Sequence, residues 1–89
     1  KISNKSFSTY LRLDVIDKHG VLSDITKTMS KNKISIKRLI QNPFKAKKFA
    51  SIIIITHKGK NNLLEKTVKT LSRKNYVIHK PKLIRIEEV

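Results

Sequence analysis

The strongest constraint on the fold is the junction Asp17-Lys18-His19-Gly20-Val21-Leu22-Ser23-Asp24-Ile25, where a two-residue periodicity stops and a helical one begins at once. Upstream, Leu11, Leu13 and Val15 alternate with Arg12, Asp14 and Ile16, the pattern of a strand with a buried face. Downstream, Val21, Leu22, Ile25 and Met29 form the stripe of a helix lying on that strand's sheet. Gly20 at the joint has two readings. It makes a tight strand-to-helix turn, or it also lets a small polar ligand approach the first N–H groups of the helix.

The rest of the chain supplies the elements around that junction. Lys1 to Ser8 is polar and without period, so residues 1–8 read as a linker or disordered tail, with 9–89 as one domain. The first strand is expected from Thr9 to Ile16. The first helix follows from about Gly20 to Asn32, stopped by Lys31-Asn32-Lys33, whose cations suit a helix carboxyl end. A second strand, Ile34 to Gln41, places Ile34, Ile36 and Ile40 on one face. Its other face is mostly polar, as in an edge strand, and no proline or bulge is expected within it. Asn42-Pro43-Phe44-Lys45-Ala46-Lys47-Lys48 reads as a turn. The β-branched run Phe49 to His57 reads as a central strand covered on much of both faces. Lys58-Gly59-Lys60-Asn61 is expected to turn, and Asn62 with Glu65 has capping-box spacing. A second helix carries Leu63, Leu64, Val68 and Leu71 and ends near Lys74-Asn75. The last strand runs from Tyr76 to Ile86, interrupted near Lys80-Pro81. The order βαββαβ with right-handed crossovers predicts a ferredoxin-like α+β fold. Its four-stranded antiparallel sheet would carry both helices on one face and strands two and four at the edges.

Composition narrows the function. A chain of 89 residues buries only roughly 60–65% of its unfolded surface, too little for a cofactor domain plus a substrate domain. It opens on Lys1, and its one methionine, Met29, faces the core, so it is expected to belong to a longer protein. Without cysteine, neither a disulfide nor a thiolate metal site is possible. The longest apolar run, Ile52 to Ile55, is far short of the ~20 residues of a membrane span, and no signal peptide pattern precedes it. No membrane association is expected, and the expected location is the cytoplasm. The net charge of +15 invites a nucleic-acid reading. The lysines are scattered, however, with only Lys45, Lys47 and Lys48 clustered, so the charge reads mainly as solvated surface. His19, His57 and His79 have no carboxylate spaced to orient them in a metal site or triad. Gly20 and Gly59 are the only glycines, so no dinucleotide fingerprint exists. No catalytic, metal or cofactor site is expected in these residues.

Asp17-Lys18-His19-Gly20-Val21-Leu22, followed by Ser35 in Ile34-Ser35-Ile36, resembles the ACT domain, a regulatory amino-acid-binding module of this topology. The family usually has proline before the glycine, where this chain has His19. Ile40-Gln41, Ile53-Ile54-Ile55-Thr56-His57 and Leu83-Ile84-Arg85-Ile86-Glu87 are similar to the carboxy-terminal ACT segment of homoserine dehydrogenases. That resemblance implies a sensor that does not itself catalyse. It would answer to L-threonine and be attached to catalytic domains that reduce aspartate semialdehyde to homoserine with NAD(P)H. It further implies a homodimer paired through strand two, with the ligand between the copies. Asp17, His19, Gly20, Val21 and Leu22 would form the loop, and Ser35 and Gln41 the facing strand. The residues independently suit such a ligand, since a helix start offers N–H donors to its carboxylate and Asp17 offers a carboxylate to its ammonium. Two alternatives remain: an ACT domain of another enzyme of amino-acid metabolism, or an RNA-binding module of the same topology. For the second, only Tyr10 and Phe49 are available as stacking aromatics.

Overall fold

The centre of the molecule is β1 (Ser6–Ile16), whose side chains Leu11, Leu13 and Val15 are fully buried and meet both helices. The computed structural model describes residues 6–43 and 48–86. After β1 come α1 (Val21–Lys31), β2 (Ile36–Pro43), β3 (Phe49–Thr56), β4 (Gly59–Lys60), α2 (Asn61–Ser72) and β5 (Lys82–Ile86). The long strands lie antiparallel in the spatial order β2, β3, β1, β5, with β2 and β5 at the edges. The two-residue β4 pairs with the start of β1 through Ser6 and Phe7 and continues the line of β3. Both helices cover one face, which makes this the expected ferredoxin-like arrangement.

Each helix buries one stripe. In α1 these residues are Val21, Ile25, Thr28 and Met29, and in α2 Asn61, Leu64, Thr67 and Leu71. The buried threonines fit because their hydroxyls donate one turn back, Thr28 to the Asp24 carbonyl at 2.8 Å and Thr67 to the Leu63 carbonyl at 2.7 Å. Two fully buried hydroxyls, Thr9 and Thr56, lie 2.9 Å apart and tie the end of β3 to β1.

Several local expectations are corrected. The strand β1 starts at Ser6, so residues 6–8 belong to the sheet, held by β4 and by Ile86; residues 1–5 lie outside the described residues. In β2 the register slips between Ile36 and Arg38. Ile36 and Leu39 therefore face the helices, opposite Thr56 and Ile54, whereas Ile40 lies on the open face opposite Ile53. One extra residue reverses the alternation, so Ile36 and Ile40 do not share a face and the edge is not bulge-free. The same strand runs on through Asn42 and Pro43, paired with Ser51 and Ala50, where a turn was expected; residues 44–47 lie outside the described residues. Of the isoleucine run, Ile52 and Ile54 are buried under the helices, while Ile53 and Ile55 are half-buried on the open face. Gly59 and Lys60 form β4 instead of a turn, and α2 starts at Asn61. The capping box does not form. Lys60 holds the N-cap without a side-chain bond, and Glu65 is taken by Asn61 at 2.9 Å and Arg85 at 3.3 Å. The last strand splits as expected at Lys80-Pro81, leaving Val77 as a single bridge to Val15.

Candidate functional site

The end of β1 is fixed from both sides. Ile16 N–H donates to the Tyr76 carbonyl at 2.8 Å and Asp17 N–H to the Lys48 carbonyl at 2.7 Å. The chain then leaves the sheet through Asp17, Lys18, His19 and Gly20, all exposed. Gly20 is the N-cap of α1 at φ 88°, a left-handed conformation that costs an L side chain strain. No side chain caps the helix. Val21 N–H reaches the Lys18 carbonyl at 3.2 Å and Asp24 N–H the Gly20 carbonyl at 3.0 Å. Leu22 and Ser23 N–H have no backbone acceptor among the described residues. Such donors at the positive end of a helix dipole suit a carboxylate.

Two clefts flank this loop. A small one of about 60 Å³ lies between the loop and the sheet, lined by Asp17, Gly20, Val21, Leu22 and Gln41 over Ala50 and Ile52. Gln41 reaches it because its register opposite Ile52 sets it on the helix-covered face of β2. A larger cleft of about 280 Å³ opens on the other side, between His19 and the Asn75-Tyr76 segment. Ile16, Lys18, Gly20 and Val21 line both.

Of the residues expected from the sequence, Asp17, Gly20, Val21, Leu22 and Gln41 come together around the small cleft. His19 lines the larger one. Ser35 lies just before β2, which starts at Ile36 and not at Ile34 as expected, and its carbonyl accepts the His57 N–H at 2.9 Å. Five residues of strand, six steps of the chain, separate it from Gln41, roughly 20 Å, too far for one small ligand to touch both within one copy.

Sequence reasoning missed the support behind the loop. The Tyr76 hydroxyl donates to Asp24 Oδ2 at 2.6 Å, and Lys74 Nζ lies 3.3 Å from the same oxygen, so the first turn of α1 is bound to the segment after α2. The Tyr76 bond first, and Lys74 after it, hold the Asp24 carboxyl below the usual range against the opposing effect of burial. Burial first, then the hydrogen bond to Asp24 and the Asp24 charge, push the Tyr76 phenol well above its ordinary value, so it stays a neutral donor. On the open face, burial raises Asp14, but Arg12 at 3.3 Å and His79 at 3.2 Å outweigh it and lower its carboxyl. Nothing in the sequence pairs residues 24 and 76. Tyr76 only marks itself as an aromatic at a strand start.

A ferredoxin-like α+β domain with an open strand-to-helix loop is the class that this fold and loop define. The family model for the ACT domain matches residues 9–74, and the chain belongs to that family. It is 33% identical over 89 residues to a homoserine dehydrogenase of Methylobacillus glycogenes, covering 99% of this chain and 22% of that protein. It is 32% identical over 78 residues to the Helicobacter pylori homoserine dehydrogenase, covering 88% of this chain and 18% of that one. The chain thus spans about a fifth of the length of the curated relatives it matches. Among solved structures, a homoserine dehydrogenase from Thiobacillus denitrificans superposes with TM-score 0.86 at 28% identity, over 98% of this chain and 19% of that one. The ACT domain from the GTP pyrophosphokinase of Chlorobium tepidum superposes with TM-score 0.64 at 22% identity, over 91% and 99%, a likeness of fold alone.

Proposed function

We propose that this chain is the amino-acid sensor of a homoserine dehydrogenase and that L-threonine is its ligand. The observation that carries the reading is the open junction itself, a helix start with two N–H donors that have no backbone acceptor among the described residues, beside the Asp17 carboxylate and the Gln41 amide. Those groups complement the carboxylate, ammonium and hydroxyl of a small polar amino acid. The catalytic part of the enzyme would lie elsewhere. Gly20 and Gly59 stand far apart in the chain, so these residues do not fit a dinucleotide, and NAD(P) would bind the parent's other domains.

Ser35 enters this site only from a second copy. An antiparallel pairing of two β2 strands centred on Arg38 sets Ser35 of one copy opposite Gln41 of the other, joining the sheets edge to edge. The bulge beside Lys37, the terminal Pro43 and the like charges of Lys37 and Arg38 near the axis keep that ladder short. The RNA-binding alternative is weaker. Tyr10 and Phe49 share the open face but stand opposite Ile55 and Ile16, near opposite ends of the β1–β3 ladder, so they form no single stacking platform.

Thermal unfolding tests the reading. Threonine at a hundred times its dissociation constant adds about 2.7 kcal/mol, a rise of roughly 10–20 °C in Tm for a domain of this size. Asp17→Ala should reduce the shift and Gly20→Val abolish it. A panel of aspartate-family amino acids without any shift at millimolar concentration overturns the proposal, and a monomer in sedimentation at ~100 μM removes the shared site, a limit near −5.5 kcal/mol.

A further inference from the structure

The two sheet edges differ. The β2 edge carries a bulge and ends in Pro43, whereas β5 runs in unbroken register with β1 from Lys82↔Arg12 to Ile86↔Ser8. Among the described residues no strand pairs the outer edge of β5, so its backbone groups form a ready template for another extended chain. Beside that edge, between β5 and α2, runs a groove of about 590 Å³. Its apolar lining is Val68, Pro81 and Leu83, and Lys66, Lys69 and Lys80 rim it. Lys66 and Lys69 are three residues apart and so share one flank of α2. The one acid lining the groove, Glu65, is already engaged by Arg85 at 3.3 Å and Asn61 at 2.9 Å.

We propose that this groove receives an extended acidic segment of another polypeptide, which adds to β5 as a further antiparallel or parallel strand. Main-chain hydrogen bonds to the free edge would supply affinity. The side chains turned towards α2, every second residue, would supply specificity, an apolar one over Val68 and Leu83 flanked along the groove by carboxylates against the lysine rim. A second copy of this chain fits poorly, because pairing two β5 edges brings both lysine rims together. A nucleic acid fits poorly too, since the floor is aliphatic and offers no ring to stack on.

The test titrates the isotope-labelled chain with a blocked peptide repeating glutamate-threonine-valine-threonine, which turns glutamate and valine to the same face and is long enough to span Lys82–Ile86. A lysine–valine peptide and an oligouridylate serve as controls. The expected result is a saturable amide shift confined to residues 82–86 and 66–69, absent with the lysine–valine peptide. Lys66→Glu or Lys69→Glu, both surface changes that leave the core intact, should weaken binding about tenfold. Four results overturn the proposal: unchanged spectra at millimolar peptide, equal binding of the lysine–valine peptide, undiminished affinity in both charge-reversed variants, or tighter binding of the oligouridylate on these residues. Shifts of the β5 amides on raising protein concentration alone would assign the edge to self-association and overturn it as well.

Discussion

The chain makes the same strand-to-helix step twice, and the two steps are built differently. Each follows a core strand, each holds one of the two glycines, and neither helix gets a side-chain cap. The second step is closed. Gly59 pairs with Phe7, and a Cβ there would rest in ordinary contact with Ile34 at 3.6 Å and Leu64 at 3.8 Å. Behind it, Asn61 is buried and its Oδ1 accepts from Arg85 Nε at 2.6 Å. The first step is open. Among the described residues nothing beyond its own chain neighbours lies within 4 Å of where a Cβ on Gly20 would stand, and clefts flank the loop on both sides. One topology thus yields a structural joint where the backbone is packed over, and an open joint where donors of the helix are left without a backbone acceptor among the described residues.

The largest expected difference between the joints is in packing. Leu64→Ala should lose about 2–5 kcal/mol in urea unfolding, because that side chain is fully buried beneath the closed joint. Leu22→Ala at the open joint, half-buried, should lose clearly less; equal losses would break the comparison. Gly20→Ala comes next, at about 1–2 kcal/mol from its positive φ alone.

Tyr76→Phe should lose about 1 kcal/mol, discounted because the Asp24 side chain is 40% exposed. This pair also gives a pH signature. Asp24 is depressed when folded, so its contribution is present above its ordinary 3.8 and fades as pH falls below that value. Tyr76 is raised when folded, so its contribution is complete below its ordinary 10.0 and fades as pH climbs past it. Chemical denaturation across pH should show both losses, and the alkaline one should vanish in Tyr76→Phe. The smallest effect is Gly59→Ala, neutral or stabilising by about 0.4–1 kcal/mol, since its backbone and surroundings accept a methyl group.

The order of elements was legible because periodicity is a direct imprint of burial. Leu11, Leu13 and Val15 alternate in the sequence and are all buried in the structure. The face of β2 was not legible, since Lys37 is unremarkable as a residue and only pairing with β3 shows that it is the extra one. Gly59-Lys60 reads as a turn by composition and becomes a strand only because Ser6 and Phe7 lie alongside. At the candidate site, the loop and Gln41 could be singled out. That His19 faces a different cleft, and that Ser35 lies just before β2, are facts of three-dimensional placement. The Tyr76–Asp24 bond spans 52 residues and leaves no local trace.

The most direct test of an open, ligand-receiving first joint is an amide chemical-shift titration of the chain with L-threonine. Saturable shifts are expected at Asp17–Leu22 and Gln41, with Gly59–Leu64 unmoved. Shifts centred on Gly59–Leu64, or none at the first joint with threonine or any other aspartate-family amino acid at millimolar concentration, would contradict that expectation.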